Sequence, residues 1–181
     1  MRNYLTVVCL VVLFVLPSKA GPPQQATAQQ PTHQHTAAVS NNHIDGSVFP
    51  ELIKDVDAYR LVFLAATANS DTVDPLTRQR AMFGFLRLSD PELQKVSAIL
   101  ADFRAAHDQF VQDFNNKRQG SKEHNTAETL KPFIKGRNGI VAQTRTEIEL
   151  VLGEQRSIRL NYFIQGEKRQ MLVGVEDSGT E

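Results

Sequence analysis

Mostly apolar residues recur at helical spacing in two long stretches of the chain between residues 46 and 172, and we call each such row of positions a seam. In the first stretch these positions are separated by 3, 4, 3, 4, 3 and 4 residues, the heptad pattern of a helix that packs along one side. They are Leu93, Val96, Leu100, Phe103, His107, Phe110 and Phe114. The second seam has intervals of 4, 3, 4, 3, 4 and 3 and consists of Leu130, Ile134, Arg137, Val141, Thr144, Ile148 and Val151.

The two seams are mirror images, which predicts an antiparallel hairpin of two long helices over residues 89–118 and 127–152. When Leu93 is paired with Val151 and the other positions follow in turn, the paired residue numbers always add to 244. Half of that value is 122, the middle of the polar loop that we expect between the helices. One register therefore explains both seams.

Local signals mark the ends and the weak points of this hairpin. Ser89 and Glu92 form an S-x-x-E capping box at the start of its first helix. Pro132 is compatible with the second helix only within the first turn. Gly136 and Gly139 each cost about 1 kcal/mol relative to Ala in a helix interior, so we expect a kink or a close approach of a neighbouring backbone there.

Three further helices are predicted outside the hairpin, at residues 50–68, from about residue 75, and at residues 154–170 after Gly153. The fold class is therefore all-α, with four to five helices and the hairpin at its centre. In the second helix Arg78, Arg80 and Arg87 have no acid within the element, and we interpret them as a solvated basic face.

The first 20 residues have the pattern of a secretory signal peptide. Arg2 precedes an apolar run of 13 residues at positions 4–16, and small residues stand before the predicted cleavage point after Ala20. The run is shorter than the roughly 20 residues of a spanning helix, so we expect no stable membrane span after cleavage. The expected location is extracytoplasmic, in the periplasm.

The expected domain organisation places a tether between the signal peptide and one helical domain. Residues 21–45 are rich in Gln, Thr and Pro, which predicts a disordered tether, while residues 46–172 form the domain and residues 173–181 a flexible tail. His33, His35 and His43 of the tether are weak candidates for metal ligands. A floppy site must become ordered on binding, so we favour adventitious binding or none.

Composition and the motifs that are missing argue against several classes of function. The 20 Lys and Arg balance 20 Asp and Glu, so no surplus of positive charge exists to bind nucleic acid. The single cysteine, Cys9, lies in the signal peptide and cannot form an intrachain disulfide. No phosphate-binding loop or nucleophile elbow occurs, and Glu147 and Glu149 point to different helix faces. We expect no enzyme activity and no cofactor.

The hairpin register places His107 opposite Arg137, the two seam residues that are not hydrophobic. A buried Arg137 would have to reach solvent, pair with a carboxylate such as Asp108 or Asp113, or lie beside a gap in the bundle. A neutral His107 could accept a hydrogen bond from it. We favour a structural polar layer that fixes the register over a ligand site or a pH-responsive switch.

Residues 88–94, LSDPELQ, open a long amphipathic helix and resemble the L-T-x-x-Q segment of the Spy/CpxP-type periplasmic stress proteins. Ser89 stands in place of Thr and Glu92 in place of Gln, and the second segment, GEQR at residues 153–156, lacks the Leu-Thr pair. The resemblance implies a helical extracytoplasmic binder, either a dimer with a concave face for client proteins or a sensor domain. The alternative is another secreted bacterial family of similar design.

The leading functional hypothesis is a non-catalytic extracytoplasmic protein that binds proteins or peptides, as a chaperone or stress adaptor, either alone or as a homodimer. It predicts an exposed apolar face that involves Phe83, Phe85, Phe133 or Tyr162. The alternatives are a metal-responsive or pH-responsive envelope sensor that uses histidines, a protein of unknown function without a catalytic role, and a hydrolase or other enzyme whose site would be assembled across helices.

Overall fold

The computed structural model describes residues 43–69, 72–119 and 127–174, and most of these residues are helical. The predicted signal peptide, residues 21–42 of the tether, most of the hairpin loop and residues 175–181 of the tail lie outside the described residues. Five α-helices are present in the described part: α1 (Asp55–Ala66), α2 (Pro75–Met82), α3 (Asp90–Gln119), α4 (Ala127–Leu152) and α5 (Glu154–Glu167). The all-α fold class is confirmed.

The helical hairpin is present, and the ring contacts near its loop lie close to the predicted register. Its seam is buried from Leu93 to His107 in α3, and Arg137, Val141, Thr144 and Ile148 are buried in α4. Towards the loop, the Phe133 ring lies 5.4 Å from the Phe110 ring and 4.3 Å from the Phe114 ring. These pairs have residue numbers that add to 243 and 247, on either side of the predicted 244.

Helix ends follow local chemistry. The Ser89 N–H donates to Glu92 Oε2 at 2.9 Å, as expected for the reach-back half of a capping box. Asp74 accepts a hydrogen bond from the Thr77 N–H at 3.0 Å and so caps α2. Gly153 separates α4 from α5 with a φ of +70°, in the region that favours glycine.

One expected helix boundary and the expectation for Pro132 are wrong. The first helix begins at Asp55 rather than near Pro50, because a 3₁₀ turn over Pro50–Leu52 is followed by extended backbone at Lys54. Pro132 lies inside α4, beyond its first turn. A proline there removes one intrahelical N–H, and the carbonyl left without that donor belongs to Glu128, an exposed residue that water can reach.

A short antiparallel ribbon joins the two ends of the described domain. Strand β1 (His43–Asp45) pairs with β2 (Leu172–Gly174), with Ile44 opposite Val173 and both side chains buried. The expectations of a tether that extends to residue 45 and a frayed tail from residue 173 are therefore wrong at these boundaries. Burial of the Ile44–Val173 pair stabilises strands too short to show an alternating pattern.

Helix α1 lies at the centre of the packing and contacts each of the other four helices. Its buried face includes Tyr59, Val62 and Phe63, and the Phe63 ring meets the Phe103 ring of α3 edge-on at 5.4 Å. One position of this otherwise apolar face carries a charge, Asp57, which is 1% exposed.

Candidate functional site

The buried charges of the bundle meet where α1 faces α4. Arg137 Nη2 donates to Asp57 Oδ1 at 3.2 Å, and the side chains are 3% and 1% exposed. The heptad pattern places Arg137 on the inner side of α4, and Asp57 lies in the first turn of α1 among its buried residues. A guanidinium in a nearly dry interior is stable only beside a counter-charge, which Asp57 provides.

Two further groups surround this pair. Arg60 Nη2 lies 3.8 Å from the same Asp57 oxygen, so one carboxylate faces guanidinium groups from two helices. The Arg137 guanidinium carbon also lies 5.8 Å from the centre of the Phe133 ring, within the range of a cation–π contact. Phe133 therefore forms the outer wall of the Arg137 site.

His107 lies on the inner side of α3 and is 7% exposed. Its Nδ1 is 3.4 Å from Asp108 Oδ1, and its Nε2 is buried with no hydrogen-bond partner among the described residues. Burial lowers the pKa of His107, the charges of Arg60 and Arg104 act in the same direction, and Asp108 opposes them. The neutral imidazole is the stable form in the folded protein at neutral pH.

His107 and Arg137, the two residues of the predicted polar layer, are therefore both buried. The carboxylates around them form other ion pairs than we expected. The carboxylate that pairs with Arg137 belongs to Asp57, not to Asp108 or Asp113. Asp108 instead accepts from Arg104 Nε at 2.6 Å, one turn earlier on α3. Asp113 accepts from Gln109 at 2.8 Å. Both acids are exposed on α3, and each pairs there with a residue four positions earlier.

We call the resulting set the polar layer: Asp57, Arg60, Arg104, His107, Asp108 and Arg137. Its guanidinium groups outnumber its carboxylates three to two, which leaves one positive charge while His107 is neutral. The arrangement can respond to pH through His107 and can attract an anion, whereas both of its carboxylates are engaged by arginines.

The metal candidates fall in different places. His33 and His35 lie outside the described residues. His43 is exposed on β1, at the first position of the ribbon. Within residues 43–69, 72–119 and 127–174, no three His, Cys, Asp or Glu side chains are grouped to hold a metal ion.

The four apolar candidates do not form one face. Phe83 is 3% exposed and belongs to the core, so the expectation that it contributes to a binding face is wrong. Phe133 is half-buried between Phe110 and Phe114. Phe85 is 38% exposed and its ring lies 4.8 Å from that of Phe163 on α5. Tyr162 is 75% exposed.

The outer face of α5 carries two exposed apolar side chains. Ile158 is 50% exposed and Tyr162 is 75% exposed, and their spacing of four residues places them side by side. Of the seven exposed residues of this helix, only Glu154 and Arg159 are charged. An outer helix face in a small domain is usually more polar, so this one is a candidate contact surface.

Arg78 and Arg80 of the expected basic face bind within the domain. Arg78 Nη1 donates to the Ala68 carbonyl oxygen just beyond the end of α1, and Arg80 pairs with Asp90 at 2.8 Å. The face is therefore tied to neighbouring elements rather than only solvated. Arg87 follows α2 with a φ of +52° and is exposed.

Each of the two neighbouring acids of α4, Glu147 and Glu149, accepts a hydrogen bond from a residue one turn earlier in the helix. Glu147 accepts from Gln143 at 3.0 Å, and Glu149 accepts from Arg145 Nε at 2.7 Å. The Arg145 guanidinium also lies 4.7 Å from the Tyr59 ring. The two acids thus have separate partners, in agreement with their predicted separation.

Comparison of the chain with protein-family models, with curated proteins and with solved structures finds no match. None of the helices in the described part of the chain is both long enough and apolar enough to cross a membrane.

Proposed function

We propose that this protein is a non-catalytic helical binding protein that acts outside the cytoplasm and holds an apolar protein segment against the outer face of α5. The observation that carries the proposal is the pair Ile158 and Tyr162, exposed side by side on a helix whose exposed surface has few charges. The signal-peptide pattern of residues 1–20 supports the location.

The chemistry of this face suits an unfolded or partly folded polypeptide. Tyrosine provides a large contact area and an O–H group at small cost in side-chain entropy, and isoleucine provides apolar area. Burial of such surface contributes about 25 cal/mol for each Å² removed from water. Because only Glu154 and Arg159 are charged, the face would accept apolar segments with little dependence on their charge.

The first experiment is an aggregation assay with the chain that starts at Gly21. A chemically denatured client protein is diluted with a near-stoichiometric amount of this protein, and light scattering is followed. We expect the wild type to suppress scattering. The double variant Ile158→Gln and Tyr162→Gln should lose most of this effect, because glutamine keeps the helix but removes the apolar surface.

The matched control is Leu172→Gln, which changes a side chain of 65% exposure on the ribbon rather than on α5. It should retain full suppression. A wild type without effect, or a double variant as effective as the control, would contradict the proposal. Sedimentation equilibrium identifies the competing arrangement, a homodimer through this face that the double variant dissociates and that leaves client aggregation unchanged.

A further inference from the structure

The polar layer marks the end of the fully buried part of the hairpin. On α3 the seam is buried as far as His107, and none of residues 108–119 is buried. On α4 none of residues 130–136 is buried, whereas Arg137 is. The boundary therefore falls at the same level in both helices, and we call residues 108–119 and 130–136 the hairpin arm. His107 and Arg137 form the last closed layer between the core and this arm.

One nitrogen of the His107 ring can take up a proton but has no acceptor for it. Its Nδ1 lies 3.4 Å from Asp108 Oδ1. The hydrogen bond from Arg104 lowers the pKa of Asp108, so this ionised carboxylate only accepts and the proton of the neutral ring is on Nδ1. The basic nitrogen is therefore Nε2, which is buried with no hydrogen-bond partner among the described residues. Protonation would create a buried N–H donor without an acceptor.

The surroundings of His107 also disfavour its charged form. The charged groups of the polar layer are Asp57 and Arg60 of α1, Arg104 and Asp108 of α3, and Arg137 of α4. Burial has the largest effect on the His107 ring, and the charges of Arg60 and Arg104 act in the same direction. Asp108 favours the imidazolium, but its side chain is 54% exposed and already pairs with Arg104, so water weakens its effect. The closed layer therefore resists the proton.

We propose that acidification opens the hairpin at the polar layer, where α3 moves away from α1 and α4 while the rest of the core stays closed. Nε2 of His107 takes up its proton in the open form, in which water accepts the new hydrogen bond and separates the imidazolium from Arg60. The opening occurs at this level because no fully buried layer lies beyond it in the described part of the hairpin. The inference does not depend on the proposed function of α5, because the polar layer contains no residue of α5.

The size of the response follows from the pKa of a histidine in water, which is about 6.5. Because the open form takes up the proton and the closed form does not, the ratio of open to closed molecules should rise about tenfold from about pH 7.5 to about pH 5.5. Global unfolding also exposes His107, so the test must distinguish a local opening from an unfolded chain.

A buried thiol reports the opening. The chain that starts at Gly21 lacks Cys9, the only cysteine, so Val141→Cys places a single thiol at a buried position one turn after Arg137. Its rate of labelling by a methanethiosulfonate reagent is divided by the rate for the urea-unfolded chain at the same pH. We expect this ratio to rise about tenfold from about pH 7.5 to about pH 5.5. It should change less than about twofold in about 1 M urea, because a local opening exposes little surface.

The matched control is Ile148→Cys, a buried position two turns further along α4. It should label more slowly than Val141→Cys at about pH 5.5 and accelerate several-fold in about 1 M urea, as expected for labelling through global unfolding. Equal rates and equal urea dependence of the two thiols would overturn the proposal, as would a ratio for Val141→Cys that does not change with pH.

Histidine variants assign the response to the polar layer. His107→Leu, added to Val141→Cys, should abolish the tenfold rise, whereas His43→Gln at the exposed histidine of β1 should retain it. The same rise in the His107→Leu protein would overturn the proposal. The comparison of the two thiols keeps the test decisive if His107→Leu does not fold.

Discussion

Asp57 lies between two guanidinium groups, one from its own helix and one from α4, and is almost completely buried. Two effects compete at such a site. Burial of the charges costs several kcal/mol for each ion, and their attraction in a medium of low polarity offsets that cost only while every partner is present. The removal of one partner is therefore more damaging than the replacement of both.

The variant Asp57→Asn should lower the free energy of unfolding by about 3–5 kcal/mol, because Arg137 would remain buried without its counter-charge. The control Asp113→Asn changes an exposed acid and should alter stability by less than about 0.5 kcal/mol. Urea denaturation measures both. The double variant Asp57→Leu and Arg137→Met should be more stable than Asp57→Asn alone. If Asp57→Asn is as stable as the wild type, Asp57 does not provide the counter-charge that Arg137 needs.

His107 couples stability to pH through its lowered pKa. Below the unfolded pKa of about 6.5 the unfolded chain takes up a proton that the buried imidazole resists. Arg60 from α1 and Arg104 from α3 add to this resistance, and Asp108 reduces it. Stability should therefore fall as the pH decreases through this window, before the carboxylates with lowered pKa, such as Asp108, begin to be protonated.

His107→Leu should leave the fold intact and be more stable than the wild type, because it removes a buried nitrogen that has no partner among the described residues. The gain should be larger at about pH 5.5 than at about pH 7.5. At the lower pH the unfolded wild type is stabilised by protonation of His107, whereas the leucine variant has no group there to protonate. Urea denaturation at both values measures it, with His43→Gln as the control at an exposed histidine. An equal gain at both values would show that His107 does not carry the pH dependence.

At the scale of the element, α4 contains two glycines in different surroundings. A Cβ at Gly139 would meet open space, whereas a Cβ at Gly136 would lie 2.8 Å from Cε2 of Phe110 and still closer to Cζ. The Phe110 ring is stacked on Phe133 at 5.4 Å, which limits its movement away from α4. The close neighbour of Gly136 is therefore an aromatic ring, where the sequence led us to expect a kink or a neighbouring backbone.

Gly139→Ala should raise the free energy of unfolding by about 1 kcal/mol through helix propensity. Gly136→Ala has the same propensity gain, but the collision with Phe110 costs about 1–3 kcal/mol, so we expect a net loss of about 1 kcal/mol. Thermal and urea denaturation of the two variants give the comparison directly. Equal stabilisation by both would mean that Phe110 moves aside without cost.

The hairpin could be predicted from sequence because its register depends on two segments that carry the same heptad pattern. Asp57 was missed as the partner of Arg137 because it lies on a third helix, 80 residues away. The available signal was an acid on the apolar face of α1. The ribbon was missed because three-residue strands have no recognisable alternation. The buried Oε1 of Gln79, which has no hydrogen-bond partner among the described residues, depends on tertiary packing and had no signal in the sequence.

At the scale of the whole molecule, contacts between distant segments close the bundle at two places. Lys168, after α5, is buried and its Nζ donates to Asp55 Oδ1 at the start of α1 at 2.6 Å, which lowers the pKa of Asp55. Arg156 of α5 pairs with Glu92 of α3 at 2.7 Å, and this bond lowers the pKa of Glu92 to about 2. Helix α5 is thus joined to both α1 and α3.

The ribbon adds a third closure, because its register places His43 beside Gly174. The chain therefore enters and leaves the described domain at the same end of the ribbon. Gly46 follows β1, donates its N–H to the Met171 carbonyl oxygen at 2.9 Å, and lies where any Cβ would collide with the Lys168 carbonyl oxygen. The ribbon is held against the end of α5 by this close backbone approach.

Val173 and Leu172 allow a test of whether the ribbon contributes to the stability of the whole domain. Val173 is 3% exposed and packs in the core, whereas its neighbour Leu172 is 65% exposed. Val173→Ala removes the equivalent of two buried CH₂ groups and should lower the free energy of unfolding by about 1.6 kcal/mol. Leu172→Ala should change it by less than about 0.5 kcal/mol. Urea denaturation measures the difference, and hydrogen exchange of the β1 amides should become faster only in Val173→Ala. If the two variants have the same stability, the ribbon frays independently of the helices and the bundle does not need this closure.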